Sequence, residues 1–236
     1  MRASFPEAGL QAEQPAPLLN RIQHRLAWYF FGALFRVLFR FRIENPPQID
    51  GPFVVVANHS SFLDPIFVAL AVRPRVIFLM TVLHYRSPKL GWFYRWSRAI
   101  PLAVRGAGNR GALRAAKSVL RRGEALAVFP EGGLTRDGQP LTGSPGAVSL
   151  VLSEGVPIVP LWLDGAFEAM PIGRGPRWFR PVVARFGEPV DREALVAGAS
   201  GRREQLRVAT AEVMERIASL GGHPSRERWL REHAGR

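Results

Sequence analysis

Short apolar runs rich in β-branched residues alternate along this chain with stretches of helical character. The runs lie at residues 53–58, 75–80, 125–129, 157–163 and 182–187. Helical candidates lie between and after them, at residues 65–72, 109–121, 144–153 and 202–220. Strands that are joined through helices pair in parallel, with the helices packed on the faces of the sheet. The order therefore predicts a single α/β domain with a mostly parallel central sheet covered by helices.

Composition restricts the chemistry of this domain. Its 236 residues are 47% apolar and 22% charged, which is a globular balance. The absence of cysteine excludes disulfides, thiolate nucleophiles and cysteine metal sites. The histidines lack metal-like spacing and the carboxylates form no dense cluster, so we expect no metal. A formal net charge of +13 favours an anionic partner. We expect this partner not to be nucleic acid, because no recognition helix, zinc spacing or RNA-binding strand motif is recognisable.

The two ends of the chain differ in character from its middle. Residues 1–17 are rich in Ala, Pro and Gln without an apolar period, which predicts a flexible tail. Residues 221–236 are polar and rich in arginine, which predicts a solvated basic tail. No basic and apolar pattern of a cleaved signal peptide occurs at the N-terminus, so we expect a cytoplasmic location.

Residues 18–45 predict a helix on a membrane surface. They contain LAWYFFGALFRVLFRFRI, whose longest uncharged stretch, residues 26–35, is shorter than the roughly 20 residues that a spanning helix needs. Aromatic residues and leucines interrupted by arginines fit a helix that lies among lipid headgroups. An ordinary helix that covers the core has the same pattern and stays open as the alternative. A second aromatic strip, LGWFYRWS at residues 90–97, adds to such an apolar face.

The most informative segment is NHSSFLDP at residues 58–65, which follows an apolar strand. Pro65 preceded by Asp64 is a helix-start signal, so His59 and Asp64 would share one strand-to-helix turn. Across a compact turn the carboxylate can hold one imidazole nitrogen while the other takes a proton. Asp64 as a simple helix cap explains the segment equally well by itself. Ligand sites lie at the carboxyl ends of strands in open α/β sheets, which favours a catalytic pair.

A second segment, FPEGGLTRDG at residues 129–138, also follows an apolar strand. Its glycines let the backbone approach a substrate, and free amides in such a loop can donate to an oxyanion. Glu131 and Arg136 add polar side chains. Alone, the segment is also typical of an ordinary glycine-containing loop; together with the His59 turn, it predicts a second part of one site.

Two further segments complete the set. In IPLAVR, residues 100–105, Arg105 leaves an apolar strand and is a candidate phosphate ligand, although arginine is mostly a surface residue. In VPIVPL, residues 156–161, two prolines in an apolar run predict an irregular or edge strand beside the site.

These four segments, in this order, resemble the glycerolipid acyltransferases typified by 1-acylglycerol-3-phosphate acyltransferase. The resemblance covers residues 53–190 and makes residues 46–220 an acyltransferase domain. It implies that His59, oriented by Asp64, deprotonates an acceptor hydroxyl, which attacks the thioester of acyl-CoA or acyl carrier protein without an acyl-enzyme intermediate. The implied acceptor is a lysophospholipid, foremost 1-acyl-sn-glycerol 3-phosphate, with phosphatidic acid as product. No cofactor is expected besides the acyl donor, and the enzyme would sit peripherally or monotopically on the cytoplasmic face of the membrane, against anionic lipid.

The resemblance also implies which residues contact the substrates. They are Asn58, Ser61, Arg105, Phe129, Pro130, Glu131, Gly132, Gly133 and Arg136.

The chain departs from the family pattern at several positions. Where the family typically continues Thr-Arg-Ser after Phe-Pro-Glu-Gly, this chain has Gly133-Leu134-Thr135, and Arg98 stands where a glycine is usual. Leu134 thus stands where the family usually has a phosphate-contacting arginine, and Arg136 is the candidate substitute for that arginine. Two alternatives stay open: the same chemistry on another lyso-acceptor, such as a lyso-ornithine lipid or glycolipid, and a non-catalytic peripheral lipid-binding protein.

Overall fold

The computed structural model describes residues 8–72, 75–103 and 109–233. Its strands are β1 (Arg42–Glu44), β2 (Val54–Ala57), β3 (Val76–Thr81), β4 (Ile100–Leu102), β5 (Ala125–Val128), β6 (Ile158–Asp164) and β7 (Val183–Phe186). Its helices are α1 (Ala8–Glu13), α2 (Leu18–Leu38), α3 (Asp64–Ala71), α4 (Val82–Tyr85), α5 (Gly91–Trp96), α6 (Arg110–Arg121), α7 (Pro145–Glu154), α8 (Ala166–Ala169), α9 (Arg192–Val196), α10 (Arg202–Leu220) and α11 (Arg226–His233). The predicted alternation of strands and helices is confirmed.

The described strands form one mostly parallel sheet, as predicted. Their order is β1-β7-β6-β2-β5-β3-β4, and the pairing between β6 and β7 is antiparallel whereas the others are parallel. Because β7 and β1 run opposite to the rest, they begin where β2, β5 and β6 end. We call this the carboxyl end of the sheet.

Two apolar layers attach the helices to the sheet, because successive side chains of a strand point to opposite faces. In β2, Val54 and Val56 pack with α6, α7 and α10, while Val55 and Ala57 pack with α2, α3 and α8. All four side chains are buried. Both faces of β2 are therefore packed, so the turn that follows Ala57 starts from a firmly held strand.

Strand β6 lies between β7 and β2, so of the two alternatives predicted from its prolines the edge position is wrong and the irregular strand is confirmed. The ladder with β7 begins only at Leu161, and Ile158 forms an isolated bridge with Val190. Pro160 falls in the gap between these two pieces of pairing, where its carbonyl accepts the N–H of Gly187 at 2.9 Å. Proline is tolerated at this break because no ladder bond requires its missing N–H.

The N-terminal tail predicted for residues 1–17 is too long, because part of it forms α1 and packs against α6. The buried guanidinium of Arg98 donates to the carbonyls of Gln11 and Gln14, and Arg122 donates to two further carbonyls at the end of α1. These bonds satisfy carbonyls that have no partner within a helix. The unusual arginine at position 98 thus has a structural role in docking α1.

The C-terminal segment 221–236, predicted as a solvated tail, is also partly docked. Ser225 is buried, and the ring of His223 lies 5.3 Å from that of Trp162 on β6. The helix α11 follows. These contacts hold the start of the segment, residues 223–225, against the fold.

Candidate active site

The turn between β2 and α3 brings His59 and Asp64 together, as the sequence predicts. The Nδ1 atom of His59 lies 2.9 Å from Oδ2 of Asp64. The same oxygen accepts the main-chain N–H groups of Ser60 at 2.6 Å and Ser61 at 2.8 Å. Asp64 therefore fixes the turn and holds the imidazole at once. It does not cap α3, which begins at Asp64, follows Leu63 and has no side-chain cap bond, so the interpretation of Asp64 as a simple helix cap is wrong.

The electrostatics of the pair give His59 a defined tautomer. Asp64 is fully buried, and this burial raises the pKa of its carboxyl group, while the bonds from His59, Ser61 and Ser60 act in the opposite direction. Because the carboxylate accepts at Oδ2, Nδ1 of His59 carries the proton. The Nε2 atom has no hydrogen-bond partner in the part of the chain that the structure describes, so it is open to accept a proton from a substrate.

Phe129, at the end of β5, supports the imidazole from one side. The two rings are stacked, with centroids 4.1 Å apart and planes inclined by 17°. The side chain of His59 retains 19% exposure. Packing on Phe129 and the bond to Asp64 together restrict the ring to one orientation, as a general base requires.

The glycine-rich loop after β5 holds the backbone of His59. Oε1 of Glu131 accepts the N–H of His59 at 3.0 Å, and the N–H of Thr135 donates to the His59 carbonyl at 3.0 Å. The other carboxylate oxygen of Glu131 accepts the N–H of Leu141 at 2.9 Å. Burial raises the pKa of Glu131 to about 7. Glu131, predicted as a substrate contact, is therefore placed as a tie between the two loops of the site.

Asn58 and Ser61, also predicted to contact substrate, are buried and bonded to the protein. The side chain of Asn58 donates to the Leu163 carbonyl at 3.3 Å and accepts the Leu163 N–H at 2.7 Å. Oγ of Ser61 donates to the carbonyl of Met170 at 3.0 Å. These contacts tie the His59 turn to the end of β6 and to the loop beyond it.

The remaining predicted contacts lie in or near the glycine-rich loop. Gly132 has a φ of 69°, and its N–H donates to the Phe129 carbonyl at 3.2 Å, a turn that requires glycine. The carbonyl of Pro130 accepts the N–H of Ser144 at 2.8 Å. Gly133 is half-buried, and the side chain of Arg136 is exposed. Arg105 lies outside the described residues.

A mostly apolar cavity of about 260 Å³ lies beside His59. His59, Phe129 and Leu134 line one part of it. Residues of α2, α3, β3 and α5 supply the rest, among them Trp28 and Trp96. Sequence reasoning noted the aromatic strip that contains Trp96 but placed it on an outer face. Leu134 and Thr135 were not predicted as site residues, because nothing in the local sequence pattern shows that they lie near His59, more than 70 residues earlier in the chain.

The site has the parts of a general base beside an apolar binding cavity. Groups of histidine and carboxylate side chains that could hold a metal ion are absent from the described residues. An imidazole that is held by a buried carboxylate and open at Nε2 can deprotonate a hydroxyl. The cavity provides room for an alkyl chain next to that base.

Comparisons with known proteins point to one family. The family model described as Acyltransferase matches residues 39–164, which is more than half of the chain. A chloroplastic 1-acyl-sn-glycerol-3-phosphate acyltransferase of Brassica napus is 31% identical over 132 residues, covering 56% of this chain and 38% of that protein. The 1-acyl-sn-glycerol-3-phosphate acyltransferase of Bacillus subtilis is 28% identical over 123 residues, covering 52% and 60%. The chain thus spans about two fifths of the length of the plant relative and three fifths of the bacterial one.

A solved structure shares the fold. The crystal structure of the 1-acyl-sn-glycerophosphate (LPA) acyltransferase from Thermotoga maritima superposes with a TM-score of 0.57 at 23% identity, covering 86% of this chain and 97% of that one. The similarity extends well beyond the matched family region. It supports the topology described above.

Proposed function

This chain belongs to the acyltransferase family, and we propose that it transfers a fatty acyl chain from acyl-CoA or acyl carrier protein to the hydroxyl of a lysophospholipid. The favoured acceptor is 1-acyl-sn-glycerol 3-phosphate, with phosphatidic acid as product, in phospholipid biosynthesis. One observation carries the proposal: the His59–Asp64 pair, with its 2.9 Å bond, stands beside an apolar cavity. The names of the Brassica and Bacillus relatives support the choice of acceptor.

The proposed reaction uses His59 as its base. Nε2 takes the proton of the acceptor hydroxyl while the hydroxyl oxygen attacks the thioester carbonyl, and Asp64 stabilises the resulting imidazolium. When the tetrahedral intermediate collapses, the C–S bond breaks and the thiolate takes the proton from Nε2. An ester and a free thiol result. General base catalysis contributes roughly 10²–10⁴-fold, and positioning of the chain in the cavity contributes in addition.

A second acceptor class is favoured by the wall of the cavity. Leu134, where the family pattern has an arginine, lines the cavity, and the nearby Arg136 is exposed. An apolar residue at this point offers no counter-charge for a phosphate monoester. A lyso-ornithine lipid or lysoglycolipid is therefore the alternative acceptor for the same chemistry.

The proposal places the enzyme peripherally on the cytoplasmic face of a membrane. No helix in the described ranges is both long and apolar enough to cross a bilayer. On α2, however, Ile22, Leu26, Phe30 and Val37 form a stripe whose members are 46% to 66% exposed. Exposed arginines, such as Arg25 on the same helix, flank the stripe. This pattern is typical of a helix that lies in the headgroup region.

The test is an acyl-transfer assay with purified protein. Radiolabelled lysophosphatidic acid and palmitoyl-CoA in detergent micelles should give phosphatidic acid and free CoA, and His59→Ala should abolish both. If lysophosphatidic acid fails, a panel of lyso-ornithine lipid, lysoglycolipid and other lysophospholipids, with acyl carrier protein as a second donor, decides the acceptor. Lack of turnover across the whole panel would contradict the enzymatic proposal and favour a lipid-binding protein.

A further inference from the structure

The loop of residues 171–180, PIGRGPRWFR, exposes two neighbouring aromatic side chains. It connects α8 to β7. Trp178 is 51% exposed and Phe179 is 58% exposed, so two adjacent rings form an exposed apolar patch. We call this segment the 171–180 loop.

Hydrogen bonds hold the backbone of the 171–180 loop in place. The fold itself therefore keeps the two aromatic side chains exposed. The N–H of Phe179 donates to the Leu38 carbonyl at the end of α2, and the N–H of Arg177 donates to the Ala169 carbonyl at 2.7 Å. The ring of Trp178 lies 5.4 Å from that of Phe39. Phe179 has a φ of 64°, a conformation that is costly for an aromatic residue and needs the surrounding contacts to maintain it.

The charge of the loop is complementary to an anionic surface. Arg174, Arg177 and Arg180 are exposed, and none of them pairs with a carboxylate among the described residues. The loop itself contains no acidic residue. Arginines that alternate with tryptophan and phenylalanine suit the headgroup region of a bilayer, where guanidinium groups bind phosphates and rings lie just beneath.

The loop is continuous with the exposed face of α2 and close to the catalytic pair. Its contact with Leu38 attaches it to the C-terminal end of α2. Residue 183, which follows the loop and starts β7, pairs with Asp164 at the end of β6, so the loop lies at the carboxyl end of the sheet. Directly before the loop, the Met170 carbonyl accepts a hydrogen bond from the hydroxyl of Ser61, in the His59 turn, at 3.0 Å.

We infer that the 171–180 loop is a second membrane contact, in which Trp178 and Phe179 enter the headgroup region of an anionic bilayer and the three arginines bind lipid phosphates. The inference rests on the proposed membrane-bound function and deepens it. A single surface helix leaves a protein free to roll about the helix axis. A second contact at the end of α2 fixes that rotation and turns the carboxyl end of the sheet, with His59, toward the lipid.

The absence of cysteine permits a direct test with single labelled positions. A polarity-sensitive dye is attached to Gly175→Cys in the loop, where a side chain meets open space, and to Ala33→Cys on the exposed side of α2. Ala194→Cys on α9 is the matched control, since α9 follows Val190, whose partner Ile158 lies at the opposite end of the sheet. The proteins are mixed with vesicles of phosphatidylglycerol and phosphatidylcholine, and spin-labelled lipids serve as quenchers.

The inference predicts dye emission shifted to the blue and quenching by lipid at positions 175 and 33, with no change at 194. A response at 33 without one at 175 would overturn it while leaving the α2 membrane contact intact. No response at either position would contradict the membrane surface itself, whereas the micelle assay judges acyl transfer separately. A change at 175 that depends on protein concentration without vesicles would make the loop an interface between two copies and also overturn the inference.

Charge reversal tests the arginines against a matched set. The triple variant Arg174→Glu, Arg177→Glu and Arg180→Glu should lower the partition coefficient onto the anionic vesicles by about 100-fold or more. Reversal of three exposed arginines on α10, Arg202→Glu, Arg203→Glu and Arg207→Glu, changes the net charge equally and should have a much smaller effect. Equal losses in the two variants would show that only net charge matters and would contradict a contact at the loop.

Discussion

The carboxylate of Glu131 binds the main-chain N–H of His59 at 3.0 Å, across 72 residues of sequence. Its second oxygen binds Leu141 at 2.9 Å, within its own loop. The glycine-rich loop thus contacts His59, the proposed catalytic base, through the backbone. The carboxyl group that makes this contact is itself largely withdrawn from water. Changes at Glu131 should therefore alter both the stability of the fold and the position of His59.

Glu131 gives the stability of the protein a pH dependence of defined sign. Burial raises its pKa from 4.5 to about 7, so between these values the folded chain keeps a proton that the unfolded chain has lost. The free energy of unfolding should fall as the pH rises through this window and level off above it. The contribution is on the order of 3 kcal/mol. Urea unfolding at several pH values from about 5 to 8 measures it.

The variant Glu131→Gln separates the contribution of Glu131 to the pH dependence of stability from those of the other titratable groups. It cannot titrate, so its unfolding free energy should lose the decline between pH 4.5 and about 7. Glu188→Gln, at an exposed carboxylate, is the matched control and should retain the decline. An undiminished decline in Glu131→Gln would assign the titration to another residue.

Asp64→Asn should reduce catalysis far more than binding. The substitution preserves the size of the side chain but removes the negative charge that stabilises the His59 imidazolium, so kcat should fall by roughly 10²–10⁴-fold. Asp64 is fully buried and does not line the cavity, so KM for the acyl donor should stay near that of the wild type. Initial rates in micelles, with a thermal melt to verify folding, provide the measurement. A kcat close to wild type in a folded variant would rule out Asp64 as the orienting residue.

The meeting of His59 and Asp64, and the glycine-rich loop as a second part of their site, could be predicted from the sequence, whereas the individual bonds between these segments could not. His59 and Asp64 are five residues apart at a strand-to-helix junction, so their meeting follows from secondary structure alone. The bonds of Glu131 and Thr135 to His59 depend on the order of β2 and β5 in the sheet, which the alternation of strands and helices does not specify. Single residues could not reveal that Asn58 would bind β6.

The ends of the chain illustrate the same limit. Residues 8–13 have a composition typical of a tail, yet they form a helix whose end is held by Arg98 and Arg122, far away in sequence, which bind the carbonyl groups of residues 11–14. Likewise, the prolines of β6 predicted an irregular or an edge strand, and which of the two applies depends on where the pairing with β7 begins. Composition predicts the local structural tendency of a segment, but the tertiary contacts of the segment determine which structure it adopts.

Arg98→Ala should destabilise the protein and release α1. Removing a buried guanidinium leaves carbonyl groups at the end of α1 without a donor, and each such loss costs roughly 1–3 kcal/mol. Arg114→Ala is the contrast, because Arg114 reaches Glu13 of α1 through a mostly exposed ion pair worth at most about 1 kcal/mol. Chemical unfolding compares the two free energies, and limited proteolysis reports new cleavage in residues 8–17. Equal effects of the two substitutions would contradict the role given to Arg98.

Trp96→Ala should change which acyl chains the enzyme accepts. The indole lines the cavity beside the ring of His24, at 4.1 Å between centroids, and its Nε1 donates to Gln23 of α2 at 3.3 Å. Removing it enlarges the cavity on the side of α2 and also loosens that helix, at a cost below the roughly 3–5 kcal/mol of a fully buried tryptophan because Trp96 is half-buried. Longer or bulkier acyl donors should therefore gain in kcat/KM relative to palmitoyl-CoA, as measured by competition in micelles.

Two variants at aromatic positions control this prediction. Trp96→Phe retains most of the cavity wall and loses only the bond to Gln23, so its chain preference should stay close to that of the wild type. Trp92→Ala removes an indole of the same helix α5 that is 62% exposed and does not line the cavity. It should alter stability and chain preference little. A broadened preference in Trp92→Ala equal to that in Trp96→Ala would mean that loosening of α5, and not the volume of the cavity, sets the acyl chain that fits beside His59.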